Sequence, residues 1–497
     1  MRKRKNIFLL IVLLGILIIL YSANVFAAEN TTRAYTAGLQ KTAAGKVTQT
    51  LSNIGNWGFW ANYTGQTGHD PFTGGSGGYY PRGTAASIYM DGIIWGGYLR
   101  GASDISLRVG GIGYRIGTDP GWITSEGDGT LDADFIPNGA TAASANDDRA
   151  RIYRIRSDWR TLSLAQVTKD AAELNNISEA LVTESQAQDV IDQYKADWKN
   201  WPVDLGAPYV DVDGDGTYNP VLDADGYADE MAGDYPGIAN ADQVIWFVVN
   251  DLNPTKTIAH SGSPPMGLEL QITLWGYNQP GAGLGQIVFK KYKIINYSGF
   301  YIDSMFVAQY SDPDLGNAGD DLVGCDVEKS LHYVYNGGPS DDDYDGFGLV
   351  PPAAGYDFFQ GPWVQTGDDA DTAVIDLQYQ TGYKNLPMTS FGYFAAGSPI
   401  SDPDMGDYVE FTHSWYNMMN GYIPTTDLND PTPYYAGSGP KAGNPTKFPL
   451  DGDPVGDPTG ATTDVDGQGD NLAAGDRRMF ACSGPFTMAP GDEQELV

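Results

Sequence analysis

"QIVFKKYKIINYS", residues 286–298, carries the pattern of a β-strand whose two faces meet different surroundings. Side chains alternate between the faces of a strand. One face would present Val288, Lys290, Tyr292 and Ile294, and the other Ile287, Phe289, Lys291, Lys293 and Ile295. The segment closes on Asn296-Tyr297-Ser298-Gly299, whose residue types favour a turn. It therefore predicts a half-buried antiparallel strand that ends in a turn.

Three further segments predict strands beside it: "QVIWFVVND" (243–251), "GLELQITLWGY" (267–277) and "YIDSMFVAQYSDPD" (301–314). The first is a continuous apolar run, which is typical of a buried strand. Together the four segments predict a meander that forms one sheet of a β-sandwich. The fold class expected is mainly β, with antiparallel β-sandwich-like modules.

An earlier β region precedes this meander. "SIYMDGIIWGGYLRG" (87–101) contains Asp91-Gly92, a dipeptide typical of hairpin turns, so it predicts two strands broken at that point. "ISLRVGGIGYRIG" (105–117) and "RARIYRIRSDW" (149–159) alternate like strands. The glycines of the former have no helix after them, which argues against a phosphate-binding loop.

A short two-helix insertion is predicted over residues 161–200, where apolar residues recur at helical spacing. Ser163 with Gln166, and Thr183 with Gln186, fit capping boxes at the two helix starts. Their apolar stripes are most simply core contacts, and a partner-binding groove is the alternative. From 335 to 470 the chain is rich in Asp, Gly and Pro, which predicts long acidic loops.

The N-terminus has the features of an export signal. Residues 2–5 are basic, 7–21 are apolar, and 25–27 form a small-residue cleavage site. An uncleaved anchor is the alternative, but the apolar stretch is short for a span of about 20 residues. The organisation expected is a signal peptide (1–27), an N-terminal β-rich region (28–160), a helical segment (161–200), a calcium-loop linker with a buried strand (201–260) and a β-sandwich-like region (261–497). The last region ends in strand-like residues, so we expect the natural chain to continue.

The charge of the chain is strongly negative, at −34. The whole chain has 29 Lys and Arg, of which four lie in the predicted signal. After cleavage, 25 basic residues would remain against 63 Asp and Glu, which gives a net charge of −38. Such a charge argues against nucleic-acid and anionic-membrane partners and favours cations. Calcium is the first partner to consider outside the cell, where weak carboxylate sites are filled. The alternative is that the negative surface charge only keeps the protein soluble.

Two cysteines, Cys325 and Cys482, are too few for a disulfide framework. They could form one bridge, or both could be small buried apolar residues.

"DVDGDGTYNP", residues 211–220, is the best candidate site. Calcium takes six to eight oxygen ligands, which a short loop can supply if its carboxylates alternate and the backbone turns sharply at glycine. The predicted ligands of a structural Ca²⁺ are Asp211, Asp213, Asp215, Thr217, Asn219 and Asp223. Leu222 stands where an acid is expected, so Asp223 would close the site. The alternative is a plain Asp-Gly turn. A second candidate group is Asp312, Asp314, Asp320, Asp321 and Asp326, and the acids at 341–345 and 464–466 are more simply solvated loops.

Enzymatic motifs are weak. The four histidines, His69, His260, His332 and His413, are far apart and form no zinc-protease motif. Gly74–Gly78 matches the hydrolase elbow formally but lies in a glycine-rich loop. Paired carboxylates for glycoside hydrolysis remain an alternative, and Asp357 in "GYDFFQGPW" is the acid that stands beside aromatics. The sequence leans against catalysis.

Five sequence motifs together carry a resemblance to a known family: "NWGFWANYTG", "GIIWGGYLRG", "FKKYKIINYS", "DPDLGNAGDDLVGCD" and "GDRRMFACSGPFTMAPGD". The chain from about residue 53 onwards resembles large, uncharacterised secreted or surface proteins of bacteria with type IX secretion. Longer members carry fibronectin-III-like modules and a C-terminal sorting domain, neither of which is present in this sequence. The resemblance implies a secreted, multidomain, adhesive or cell-surface protein and supplies no active site.

The function expected is a secreted or cell-surface structural or adhesion-type protein stabilised by calcium, with a matrix, cell-surface or glycan partner. The alternative is a secreted carbohydrate-binding or carbohydrate-degrading protein. No membrane span is expected after the signal.

Overall fold

The computed structural model describes residues 46–102 and 105–497. The predicted signal peptide, and with it residues 28–45 of the predicted N-terminal region, lies outside the described residues. The described residues belong to one compact unit.

Strands dominate this unit. In chain order they are β1 (Gln49–Ser52), β2 (Gly58–Asn62), β3 (Gly78–Tyr79), β4 (Ala86–Ile88), β5 (Met90–Leu99), β6 (Leu107–Gly111), β7 (Asp119–Pro120), β8 (Ile123–Ser125), β9 (Thr141–Ala142), β10 (Tyr153–Arg156), β11 (Tyr209–Val210), β12 (Tyr235–Pro236), β13 (Gln243–Asn250) and β14 (Leu268–Gly276). They continue with β15 (Phe289–Asn296), β16 (Ile302–Asp312), β17 (Asp321–Asp326), β18 (Leu331–Asn336), β19 (Ala353–Asp357), β20 (Trp363–Gln365), β21 (Thr372–Ile375), β22 (Gln378–Thr381), β23 (Tyr383–Asn385), β24 (Ser390–Ala395), β25 (Tyr434–Tyr435), β26 (Pro445–Thr446), β27 (Arg477–Met488) and β28 (Glu493–Leu496).

The α-helices of the described residues are α1 (Leu164–Leu174), α2 (Glu184–Lys199), α3 (Pro254–Ser261), α4 (Asp342–Asp345) and α5 (Ser414–Met419). A π-helical turn, Tyr408–His413, leads directly into α5. Both predicted capping boxes are present: Ser163 caps α1 with Gln166, and Thr183 caps α2 with Gln186. The two-helix insertion is therefore confirmed.

Two antiparallel sheets form the centre of the unit. Sheet 1 has the order β24–β27–β16–β5–β6, and sheet 2 has the order β10–β13–β14–β15–β28 with β7 beside β13. Strands that are far apart in the chain thus lie side by side, since β5 pairs with β16.

The predicted meander is correct for its first three strands. β13 pairs with β14, and β14 with β15, each antiparallel. The fourth strand departs from the expectation, because β16 joins sheet 1 between β27 and β5. The free edge of β15 is taken instead by β28, at the far end of the sequence.

The hairpin predicted at Asp91-Gly92 is wrong, because β5 runs unbroken through both residues. Asp91 is fully buried, and its carboxylate accepts a hydrogen bond from the Lys290 ammonium at 2.6 Å. A Cβ on Gly92 would lie 2.3 Å from the carbonyl oxygen of Ile112. Asp91 thus forms an ion pair, and Gly92 allows a close approach of the neighbouring backbone; neither residue forms a turn.

The sheets share one hydrophobic core and carry helices on their outer faces. Ile245, Phe247 and Val249 of β13 pack in the same cluster as Ile93 and Trp95 of β5. The alternate residues of β13 face α1 and α2, and the alternate residues of β5 and β16 face α5. The mainly β prediction is confirmed, but helices on both outer sides make the arrangement more than a plain two-sheet sandwich.

Both cysteines are buried as free thiols, Cys325 in β17 and Cys482 in β27. Of the two alternatives, the structure supports the small buried apolar residues. Among the described residues, the helices are all too short or too polar to cross a bilayer.

Candidate metal centre

The acidic loop that contains Asp211 is anchored at both ends. It leaves β11 and returns to β12, and these two strands pair through Tyr209 with Pro236 and Val210 with Tyr235. The indole N–H of Trp198, in α2, donates to the carbonyl oxygen of Ala228 at 3.2 Å. The loop is therefore attached to the helical insertion that precedes it and lies next to the strand that follows it.

Asp211, Asp213 and Asp215 come together as the sequence predicts. One carboxylate oxygen of each lies within 4.8 Å of the others. The Asp211 carboxylate accepts the backbone N–H groups of Gly214 at 2.7 Å and Gly216 at 2.8 Å. Both glycines have φ of +75°, a conformation that glycine adopts without strain. This geometry points three carboxylates towards one small volume.

Thr217 and Asn219 lie beside this group. The backbone N–H of Thr217 donates to one oxygen of Asp215 at 2.7 Å, and the side-chain amide of Asn219 donates to the other at 2.8 Å. Both residues therefore help to orient Asp215.

Asp223 does not belong to the group of three carboxylates. Its side chain accepts the backbone N–H groups of Asp225 and Tyr227 and forms an ion pair with Arg160. Among the described residues, the hydrogen bonds and the ion pair of this side chain are with its own turn and with Arg160.

Asp234 is a residue of the loop that sequence reasoning missed. It is 1% exposed, and its two oxygens accept the backbone N–H groups of Val212 at 2.9 Å and Asn219 at 3.0 Å. It thereby ties the two halves of the loop together. In the sequence, Asp234 is marked only by its place directly before the strand residue Tyr235. Acids at such positions are common in this acidic sequence, so the position does not single it out.

The electrostatics of the loop differ between its carboxylates. The backbone N–H groups of Gly216 and Gly214 hold the pKa of Asp211 below its usual value. For Asp213, the backbone N–H of Asp215 acts in the same direction on the pKa. Desolvation and the charges of the surrounding carboxylates outweigh it and raise the pKa of Asp213. A divalent cation would relieve that repulsion.

A second carboxylate group, Asp312, Asp314 and Asp476, also lies within 4.8 Å. Asp312 is 3% exposed and accepts a hydrogen bond from the Tyr114 hydroxyl at 2.7 Å. Burial raises the pKa of Asp312 to about 8 and that of Asp314 to about 6, and repulsion between neighbouring carboxylates adds to both shifts. Arg478 opposes this effect from 3.6 Å.

The remaining acids of the 312–326 candidate, Asp320, Asp321 and Asp326, do not belong to this group. Asp326 pairs with Lys329, and Asp321 accepts the backbone N–H of Leu315. Outside that candidate, Asp464 accepts backbone N–H groups of Gly437, Ser438 and Leu450, and Asp466 pairs with Arg477. Asp341 caps α4. These contacts are those of structural turns.

We expect the second group to make stability depend on pH in the presence of a chelator. An unfolded aspartate titrates near about 3.9. Because the folded pKa values of Asp312 and Asp314 are raised, the folded state holds more protons between about pH 4 and 8. The melting temperature should therefore fall, by roughly 2 °C or more, as pH rises from about 5.5 to about 7.5.

Asp314→Asn is the matched variant for this measurement. Asn accepts the positive φ of position 314, which is +43°. Differential scanning calorimetry should give a shallower pH dependence for the variant. A melting temperature that rises over this interval, or an equal slope in both proteins, would contradict the assignment.

Comparison of the chain with protein-family models, with curated proteins and with solved structures found no match. The resemblance to proteins exported by type IX secretion therefore stays a prediction.

Proposed function

We propose that this chain is an exported, cell-surface structural or adhesion-type protein whose fold is stabilised by calcium. The observation that carries the proposal is the convergence of Asp211, Asp213 and Asp215 within 4.8 Å. Three carboxylates held this close repel one another, and hard oxygen ligands of this kind suit Ca²⁺. The site stands on a loop with Asp213 and Asp215 exposed, where an ion from solution can enter.

A structural role fits the loop better than a sensor role. Its ends are paired through β11 and β12, and Asp234 fixes its two halves. Sensor loops instead separate two helices that can reorient when the ion binds. An ion here would hold the segment between α2 and β13 in one shape, which is the role of a clamp.

Export and charge support the outer-surface location. The basic and apolar start of the sequence has the pattern of a signal peptide, and the net charge is −34. Extracellular calcium is concentrated enough to fill sites with dissociation constants of about 10⁻⁴–10⁻³ M. A protein with one such clamp gains stability only where that calcium is present.

We expect calcium to raise the melting temperature of the purified protein. At about 10 mM Ca²⁺, a site of that affinity adds about 1.5–3 kcal/mol to the free energy of unfolding. The rise relative to chelator should be about 2–5 °C. Differential scanning fluorimetry over a calcium series measures it.

Asp213→Ala should abolish most of this rise, because it removes one of the three convergent carboxylates. The matched control is Asp225→Ala, an exposed aspartate of the same loop that lies outside the group. Equal melting curves with calcium and with chelator for the unchanged protein would refute the clamp. So would an equal calcium response in the Asp213→Ala variant.

Location and calcium dependence can be tested together on intact producing cells. A membrane-impermeant biotin reagent should label the protein, and externally added protease should cleave it faster in chelator than in calcium. Protection from both reagents would argue against a surface protein.

A further inference from the structure

We propose that the cavity between the two main sheets binds a neutral, polyhydroxylated ring, that is, a sugar unit of a glycan. The cavity has a volume of about 360 Å³ and is lined by residues of β2, β15, β19 and β28. That volume lies at the lower end of the range for small-molecule sites. The proposal does not rest on the calcium clamp, since the acidic loop contributes no residue to the lining.

Aromatic rings form much of the wall. The rings of Trp57 and Tyr80 lie 5.0 Å apart, and those of Phe289 and Phe359 lie 5.7 Å apart. Gln286 positions the first pair: its carbonyl oxygen accepts the Trp57 indole N–H at 2.9 Å, and its side-chain oxygen accepts the Tyr80 hydroxyl at 2.6 Å. Rings held in place before a ligand arrives lower the cost of binding.

An ion pair lies among these rings. The Lys290 ammonium donates to the Asp91 carboxylate at 2.6 Å and to the Thr67 hydroxyl at 2.9 Å. An ammonium group has three N–H donors, so one is left for a ligand. Close by, the Tyr292 hydroxyl is buried beside Thr67, and it makes no hydrogen bond of good geometry with residues 46–102 and 105–497. The cavity thus offers unused polar groups within an aromatic wall.

The charges of the lining argue against an anionic ligand. Asp91 already neutralises Lys290, and Asp357 adds a second acid to the lining, so an anion has no free cation to meet among the described lining residues. The ring faces of Phe59 and Tyr292 are already occupied by a cation of the protein, because the Lys290 ammonium lies 5.2 Å from the Phe59 ring centre and 5.7 Å from that of Tyr292. A cationic ligand would therefore find less of this aromatic wall available, and a neutral ligand fits the lining best.

Polarity argues against a purely apolar ligand. Such a molecule would leave the third N–H of Lys290 and the Tyr292 hydroxyl without partners, although buried polar groups are normally hydrogen-bonded. A sugar ring has C–H faces that pack on aromatic rings and hydroxyls that both donate and accept. A sugar ring can therefore pack on the aromatic wall and hydrogen-bond to the polar groups at the same time.

The test is binding of neutral oligosaccharides to the purified protein. The panel contains glucose, mannose, xylose, galactose and N-acetylglucosamine oligomers, with a sulfated glucan and indole as the charged and apolar comparisons. Isothermal titration calorimetry gives the affinity of each oligosaccharide. We expect at least one neutral oligomer to bind with a dissociation constant below about 1 mM.

Phe359→Ala should weaken that binding about five- to tenfold, because it removes a ring that is 59% exposed at the cavity wall. The matched control is Phe347→Ala, a phenylalanine that is 55% exposed and does not line the cavity. The control should bind as the unchanged protein does.

Three results would overturn the proposal. The first is no binding of any neutral oligomer up to about 10 mM, a concentration well above the expected dissociation constant. The second is binding of only the sulfated glucan or only indole. The third is equal affinity of the Phe359→Ala variant and the unchanged protein.

Discussion

Asp91→Asn should lower the free energy of unfolding by about 3 kcal/mol. Asp91 is on β5 of sheet 1 and Lys290 is on β15 of sheet 2, so their ion pair joins the sheets across the core. The Asp91 side chain is 0% exposed and that of Lys290 is 10% exposed. Removing one partner of a buried pair leaves an uncompensated charge, which typically costs about 3–5 kcal/mol. We expect the lower end of this energy range because burial lowers the pKa of Lys290. In the variant, Lys290 can therefore lose its proton and avoid being a buried, unpaired charge.

Urea denaturation followed by tryptophan fluorescence measures this loss. The double variant Asp91→Asn, Lys290→Met should recover much of it, because it removes the ammonium that Asp91→Asn leaves without a counter-charge. The loss in Asp91→Asn should also shrink in alkaline buffer, where Lys290 deprotonates more readily. A single variant as stable as the unchanged protein, to within about 0.5 kcal/mol, would show that the pair does not hold the sheets together.

Asp170→Asn should cost about 3–4 kcal/mol of unfolding free energy. This fully enclosed carboxylate of α1 accepts hydrogen bonds from Arg154 of β10 at 2.6 Å, from Asn53 at 3.0 Å and from Tyr194 of α2 at 2.6 Å. Without the Asp170 carboxylate, the buried Arg154 guanidinium loses its nearest counter-charge. The Asn side chain also replaces one acceptor oxygen by an NH₂ donor, which then faces other hydrogen-bond donors. Both helices should loosen from sheet 2 as a result.

Chemical denaturation gives the total loss, and hydrogen exchange locates it. Amides of α1 and α2 should exchange faster in Asp170→Asn, while those of sheet 1 should keep their relative protection. The matched control is Asp189→Asn, an exposed aspartate of α2, which should change stability by less than about 0.5 kcal/mol. Equal losses in the two variants would contradict this account.

The candidate metal centre was only partly predictable from the sequence. Alternating aspartates with glycines are a local pattern, so the convergence of Asp211, Asp213 and Asp215 could be predicted from spacing. Asp234 stands well apart from these three in the chain, and it reaches the loop because β11 pairs with β12. Asp476 joins Asp312 and Asp314 in the same non-local way. Long-range pairings of this kind have no signature in a single sequence.

Local elements could be predicted from the amino-acid sequence alone. The residue patterns of 243–251, 267–277 and 286–298 specify strands, and the capping boxes at Ser163 and Thr183 specify the starts of two helices. These features depend on backbone geometry and on contacts within a few residues.

The neighbours of each strand and the roles of the buried polar residues depend instead on tertiary packing. β16 leaves the meander for sheet 1, and β28 takes its place beside β15. Asp91, whose dipeptide with Gly92 predicts a turn, is instead the partner of Lys290 inside a strand. The reason is that a buried charge is tolerated only next to its partner, and that partner is set by the packing of two sheets rather than by the residues on either side.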